Sequence, residues 1–126
     1  MSNVAAKGYL VRRPVDAVTV PCPCGQSTRF ITQADTPACN FHITFIQDSV
    51  KHYHKETTEV YYILEGQGKL ELGDDVVEIE PGMVIYIEPF TPHRLESAAG
   101  VRTIVFGVPA LKPDDEYFVN DERIEP

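Results

Sequence analysis

Residues 51–66 read KHYHKETTEVYYILEG, and the second half of this stretch decides the fold class. Val60 to Leu64 is a short run of β-branched, aromatic and aliphatic residues, closed by Glu65-Gly66-Gln67-Gly68. That is the composition of a strand ending in a tight turn. The same signature recurs on both sides: Thr28 to Ile31, Phe41 to Gln47, Lys69 to Leu72, Val76 to Glu80, Met83 to Ile87 and Val101 to Val108 are all short and rich in Val, Ile, Tyr, Phe and Thr. Gly73-Asp74-Asp75, Pro81-Gly82 and the loop Pro89 to Pro92 separate several of them, so hairpin follows hairpin. Few windows longer than about ten residues carry apolar positions at helical spacing, and a helical turn or two is expected only near the C-terminus. The reading is an all-β chain of short antiparallel strands, built as a sandwich, jelly roll or small barrel.

The first half of the same stretch carries the chemistry. Alternate side chains on a strand share a face, so His52 and His54 point the same way and can grip one ion from adjacent positions. Lys55 to Thr58 can form a short loop that returns Glu59 beside them, and His93, placed directly after Pro89-Phe90-Thr91-Pro92, offers a third imidazole. Imidazoles with one carboxylate are a donor set for divalent transition metals.

These residues fall into a known pattern. His52-x-His54-x4-Glu59-x6-Gly66 resembles the first motif of the cupin family, and Gly73 to Ser97, with Pro81-Gly82 followed eleven residues later by His93, is similar to the second. Together they cover about half of the chain. The resemblance implies a single-domain cupin-type jelly roll, a conical β-barrel, in which His52, His54, Glu59 and His93 hold one divalent metal, Fe, Mn, Ni, Zn, Co or Cu. About two positions would stay open on a six-coordinate ion. It also implies a homodimer, a role for which a proline-rich arm over residues 9–24 is suited. Three departures stand out: Ile46 replaces the glycine that opens the first motif, Glu88 replaces the first proline of the usual Pro-Pro turn, and Ser97 stands where the second motif often has Asn. None removes a ligand; they bear on turn geometry and the pocket wall.

Strand parity extends the pocket. Counting in twos from Glu59 places Tyr61 and Ile63 on its face, and from His93 places Leu95 there, so Tyr61 is the nearest candidate proton donor. His42 shares even parity with His52 and His54 and points inward if no bulge intervenes. Tyr61 and His42 are the catalytic candidates. Arg29, Arg94 and Arg102 could hold a substrate carboxylate, but Arg94 follows His93 directly and should face away from the metal. Cys22-x-Cys24 with Cys39-x2-His42 could form a competing zinc site, yet the spacing is unusual for one. The preferred reading is reduced thiols, with Cys22-Pro23-Cys24-Gly25 a tight turn and Cys39 a small buried residue.

Composition bounds the rest. The 126 residues suit one domain, and 43% hydrophobic with 24% charged residues excludes a disordered chain. A net charge of -8 argues against nucleic acid and anionic membranes as partners. No apolar run approaches a membrane span, residues 1–10 do not read as a secretion signal, and a cytoplasmic location is expected. The expected organisation is an arm or edge strand over residues 1–25, the barrel over 26–108 and an acidic extension over 109–126. The extension, with Asp114, Asp115, Glu116, Asp121, Glu122 and Glu125, reads as solvated and partly ordered, and neither end is expected to be catalytic. The expected partner is a small polar or aromatic molecule. The function that follows is a metal-dependent enzyme, with dioxygenase-like chemistry favoured over isomerase, epimerase or lyase chemistry. A non-catalytic, ligand-binding cupin is the rival.

Overall fold

Of the turns expected to close hairpins, only Gly73-Asp74-Asp75 does so; Glu65-Gly66-Gln67-Gly68, Pro81-Gly82 and the loop over residues 89–92 join strands that do not pair with each other, so the expected run of successive hairpins is not formed. A computed structural model describes residues 7–22 and 24–119. Ten strands follow one another: β1 (Val18–Cys22), β2 (Gly25–Ile31), β3 (Asn40–Asp48), β4 (His52–Tyr53), β5 (Thr58–Glu65), β6 (Gly68–Leu72), β7 (Asp75–Ile79), β8 (Val84–Ile87), β9 (His93–Val108) and β10 (Tyr117–Phe118). All their pairings are antiparallel, and the sheet curls on itself as an all-β barrel-like fold. Among the described residues the helical turn expected near the C-terminus is not formed: residues 109–119 hold turns and β10, and a turn of 3-10 helix lies instead at Pro14–Asp16, where a proline opens it. No helix of the described residues is long and apolar enough to cross a membrane.

β9 organises the molecule. Its last eight residues run between β3 and β5, while its first four pair with β6, and His93 also faces His52 of β4. The strand bends where its pairing with β3 jumps from Val101↔Ile46 to Glu96↔Asp48. Gly100 sits in that bend at φ 98°, and a Cβ there would run into the Phe45 ring. Gly66, at φ 94°, packs so close that a Cβ would strike the carbonyl oxygen of Gly100, which is why the turn after β5 needs glycine.

Register then stacks inward side chains in rows, since directly paired residues share a face. One row is Arg29–His42–Val105–Tyr61–Ile85, and the next is Ser27–Thr44–Thr103–Ile63. A third is Asn40–Gly107–Glu59–Ile87. The apolar members of these rows pack with Ile46, Leu70, Ile79, Leu95 and Val101 into the core. Each large aliphatic side chain buried this way contributes about 1.5–3 kcal/mol.

The chain ends bear directly on the site. β1 adds to the sheet through β2, and Arg12 pins the preceding arm by pairing with Asp35 at 2.9 Å and donating to the Phe30 carbonyl. At the other end, Leu111 N–H donates to Asn40, Val119 N–H donates to Lys51, and β10 pairs with β4. The acidic segment is therefore not wholly solvated: Asp115 is 2% exposed. Residues 1–6 and 120–126, the latter with Asp121, Glu122 and Glu125, lie outside the described residues.

The cysteine reading needs correction. Cys22 and Cys24 are joined in a disulfide rather than kept as thiols, and only Cys39 is free among the described cysteines. The β1–β2 turn brings the two Cα atoms to 5.1 Å, within ordinary disulfide reach. With two sulfurs bonded to each other, the set of three thiolates and one imidazole does not exist.

Candidate metal centre

His52, His54 and His93 meet because β4 lies beside the start of β9. His52 and His93 are direct cross-strand partners, and His54 follows His52 by the two residues that keep it on the same face. All three rings are buried, and one ligand atom of each lies within 4.8 Å of the others. Each ring is oriented through its second nitrogen. His52 Nδ1 donates to Val50 O at 2.7 Å, His54 Nδ1 to Asp115 O at 2.6 Å and His93 Nδ1 to Thr91 O at 2.9 Å. A carbonyl can only accept, so Nδ1 carries a proton in each ring and Nε2 is the nitrogen turned to the site, where a metal can take the place of a second proton.

Glu59 enters from β5. Its Oε1 lies 3.2 Å from His54 Nε2 and 3.2 Å from His93 Nε2. Neither contact is aligned as a hydrogen bond, and these three atoms are buried without any hydrogen-bond partner. Orphaned buried polar atoms are costly, and a cation between them relieves the cost. The electrostatics agree. Burial disfavours charge on His54, but Glu59 outweighs it and raises the pKa to about 9. Burial likewise disfavours charge on Glu59, yet His54 and His93 hold its carboxyl below the usual carboxylate range. Both shifts favour added positive charge at this point. His52 is pushed down to about 4 by burial and then by His93, which keeps it neutral. The residues present therefore fit a divalent metal.

The segment between His54 and Glu59 is held from the C-terminal side. Asp115 accepts the backbone N–H groups of Lys55 at 2.7 Å, Glu56 at 3.1 Å and Thr57 at 3.2 Å. The loop bearing Phe90 is tied in as well, its N–H donating to His54 O at 2.7 Å. Phe90 is itself at φ 67°, a conformation rare outside glycine.

A pocket of about 540 Å³, its open mouth included, rises from these ligands. Ile46, Val105 and Tyr61 form apolar wall, with Ser27 and Thr44 among them, while Arg29, His42, Leu111, Glu116 and the Cys22–Cys24 pair complete the lining. Tyr61 is buried, its ring edge-on to His93 at 6.1 Å, and burial, then the Glu59 charge, raises its pKa well above the ordinary phenol value. Burial, then the Arg29 charge, lowers His42 to about 4. Arg94 points away, pairing with Asp48, Glu71 and Glu96, and Arg102 pairs with Glu65.

Three contributors were not assigned to the site from the sequence: Asp115, Glu116 and Leu111, all in the segment taken for a solvated extension. Arg29 was one of three candidate arginines, of which Arg94 was expected to face away. Its alternation with Ser27 along β2 was a usable signal, since cross-strand pairing with His42 puts both on the inner face.

Comparison with known proteins follows the same lines. The family model described as Cupin domain matches residues 44–107, about half of the chain and all four candidate ligands. Uncharacterized protein MJ1618 of Methanocaldococcus jannaschii is 44% identical over 50 residues, 40% of this chain and 40% of that protein. The match thus spans well under two thirds of that relative. L-ectoine synthase of Oceanobacillus iheyensis is 27% identical over 90 residues, covering 68% of this chain and 70% of the relative. Among solved structures, a protein from Planctomyces limnophilus superposes with a TM-score of 0.81 at 26% identity, covering 90% of this chain and 99% of its own. The Streptomyces nucleoside dehydratase Pac13 superposes at 0.76 and 16% identity, covering 89% and 92%, a likeness of fold.

Proposed function

Because this chain belongs to the cupin domain family, we propose that it is a metal-dependent enzyme acting on a small polar molecule, with His52, His54 and His93 binding through Nε2 and Glu59 through Oε1. The observation that carries this reading is the convergence of the buried, unpartnered His54 Nε2, His93 Nε2 and Glu59 Oε1, with His52, His54 and Glu59 lining a pocket. A bound divalent metal would supply Lewis acidity toward a carbonyl or hydroxyl, and iron would add dioxygen chemistry.

The chain's own residues favour proton-transfer chemistry of the lyase or isomerase kind. Tyr61 holds its proton at neutral pH and can donate it, while neutral His42 can accept one, and both line the pocket. Ile46 and Val105 keep water from one wall. The dioxygenase-like reading expected from the sequence is the second, supported by a ligand set that leaves neighbouring positions open. One experiment separates them. Metal-loaded protein is incubated with mixed small carboxylates, amino acids and polyols in D2O, with and without dioxygen, and followed by NMR. Anaerobic turnover or deuterium uptake, lost in Tyr61→Phe with metal retained, supports the lyase or isomerase reading. Turnover only with dioxygen moves the assignment to oxygenase, and binding without turnover overturns the enzyme.

The homodimer and a cytoplasmic location belong to the same proposal. Val84, Tyr62, Ile104 and Ile43, and beside them Tyr86, Val60, Phe106 and Phe41, line up in register as an apolar outer face. Of these, Val84 and Tyr86 are each 63% exposed, and a second copy would cover them.

A further inference from the structure

Two cavities meet above the candidate metal centre. The inner one is the pocket just described, and the outer, about 900 Å³ with its open mouth, is lined by Thr32, Gln33, Asn40 and Lys112 among others. Arg29, His42, Leu111 and Glu116 line both and so form the neck between them. Arg29 and Glu116 carry opposite charges yet form no ion pair with each other, and neither has a hydrogen-bond or ion-pair partner among the described residues. Lys112, the other cation of the outer cavity, is already paired with Glu56 at 3.1 Å. The neutral His42 lines both cavities with them.

The orphaned polar atoms give a second, independent sign. Five buried side-chain nitrogen or oxygen atoms lack a hydrogen-bond partner among the described residues. Three are the candidate ligand atoms of His54, Glu59 and His93; the others are Ser27 Oγ and Asn40 Nδ2. Ser27 lines the inner cavity and Asn40 the outer. Every unpaired buried group thus belongs to the ligand set or to the wall of one cavity. The half-buried Glu116 carboxylate and the buried Ser27 hydroxyl and Asn40 amide, left unpaired, cost free energy that a matching ligand recovers, while Arg29, which is solvent-exposed, offers an unpaired cation on the same wall.

The geometry points to a dipolar slot for a small zwitterion: the substrate carries a carboxylate that pairs with Arg29 and an ammonium that pairs with Glu116, with a short apolar body against Leu111 and Val105. A lone anion would leave Glu116 unpaired and a lone cation would leave Arg29 unpaired, so charge complementarity selects the molecule that has both. This deepens the proposed function and rests on it for the chemistry, though not for the binding.

The test is isothermal titration of metal-loaded protein with ω-amino acids from glycine to 6-aminohexanoate, each beside the carboxylic acid and the alkylamine of equal length. At least one amino acid should bind about tenfold or more tighter than both of its matched partners, since a charged contact of this kind is worth roughly an order of magnitude. In Arg29→Gln that amino acid should bind no better than the amine, and in Glu116→Gln no better than the acid. Absence of binding, no preference for any amino acid, or a preference that survives both substitutions would overturn the slot. Metal content measured in parallel separates the two claims: discrimination in a protein that retains no metal removes the metal reading and keeps the slot, while full metal without discrimination does the reverse.

Discussion

At neutral pH the His42 imidazole is uncharged, held near a pKa of about 4 by burial and then by Arg29. Its unfolded value is about 6.5. Above that pH neither state is protonated; between 6.5 and 4 the unfolded chain binds a proton that the folded chain does not, so stability falls as pH falls. His42→Gln removes this portion. In urea unfolding, the drop in stability between pH 7 and pH 4 should be smaller in the variant by about 1–2 kcal/mol, below the full linkage value because the ring is partly exposed. Parallel profiles would show that His42 is not buried neutral. His52, His54 and Glu59 were readable from spacing within eight residues; His42 was read from even parity with His52 and His54 if no bulge intervened, and it lines the pocket although the register does shift between Ile46 and Asp48. Arg29 was legible as one candidate anion binder among three arginines, but Glu116 was not, because its place depends on the return of residues 109–119, which is not a local property.

Elements rather than single residues fix the ligand geometry. The segment Lys55, Glu56 and Thr57 has no secondary structure to hold it, and its three N–H groups close on the Asp115 carboxylate while the Asp115 carbonyl holds His54. Asp115→Ala leaves those amides unsatisfied and should weaken metal binding about 10–100-fold, the usual consequence of removing an outer partner of a ligand set. Competition with a chelator measures it, and Asp115→Asn, which keeps one acceptor oxygen, should recover part of the loss. Wild-type affinity in Asp115→Ala would separate the C-terminal segment from the site. Seven strands were visible as short apolar runs between Gly and Pro turns. The first half of β9 was not, because Arg94 to Gly100 has too few strand-forming residues to announce itself and is held by pairing with β6. β4 and β10, two residues each, exist only through their partners.

For the whole molecule, the curled sheet leaves one apolar outer face uncovered while the inner face fills with core and site. Covering that face with a second copy predicts a species of twice 14.1 kDa in sedimentation at micromolar concentration, and Tyr86→Glu with Val84→Lys should shift it to monomer without loss of fold. A wild-type monomer would contradict the dimer and leave the site untouched, since every candidate ligand comes from one chain. The central claim is the metal centre, and its most direct test is elemental analysis of protein purified without added metal or chelator, beside His93→Ala. The structure predicts about one equivalent of a divalent transition metal in the wild type and its loss in the variant; a wild type that neither contains nor takes up metal, or a variant that keeps it in full, would contradict the account.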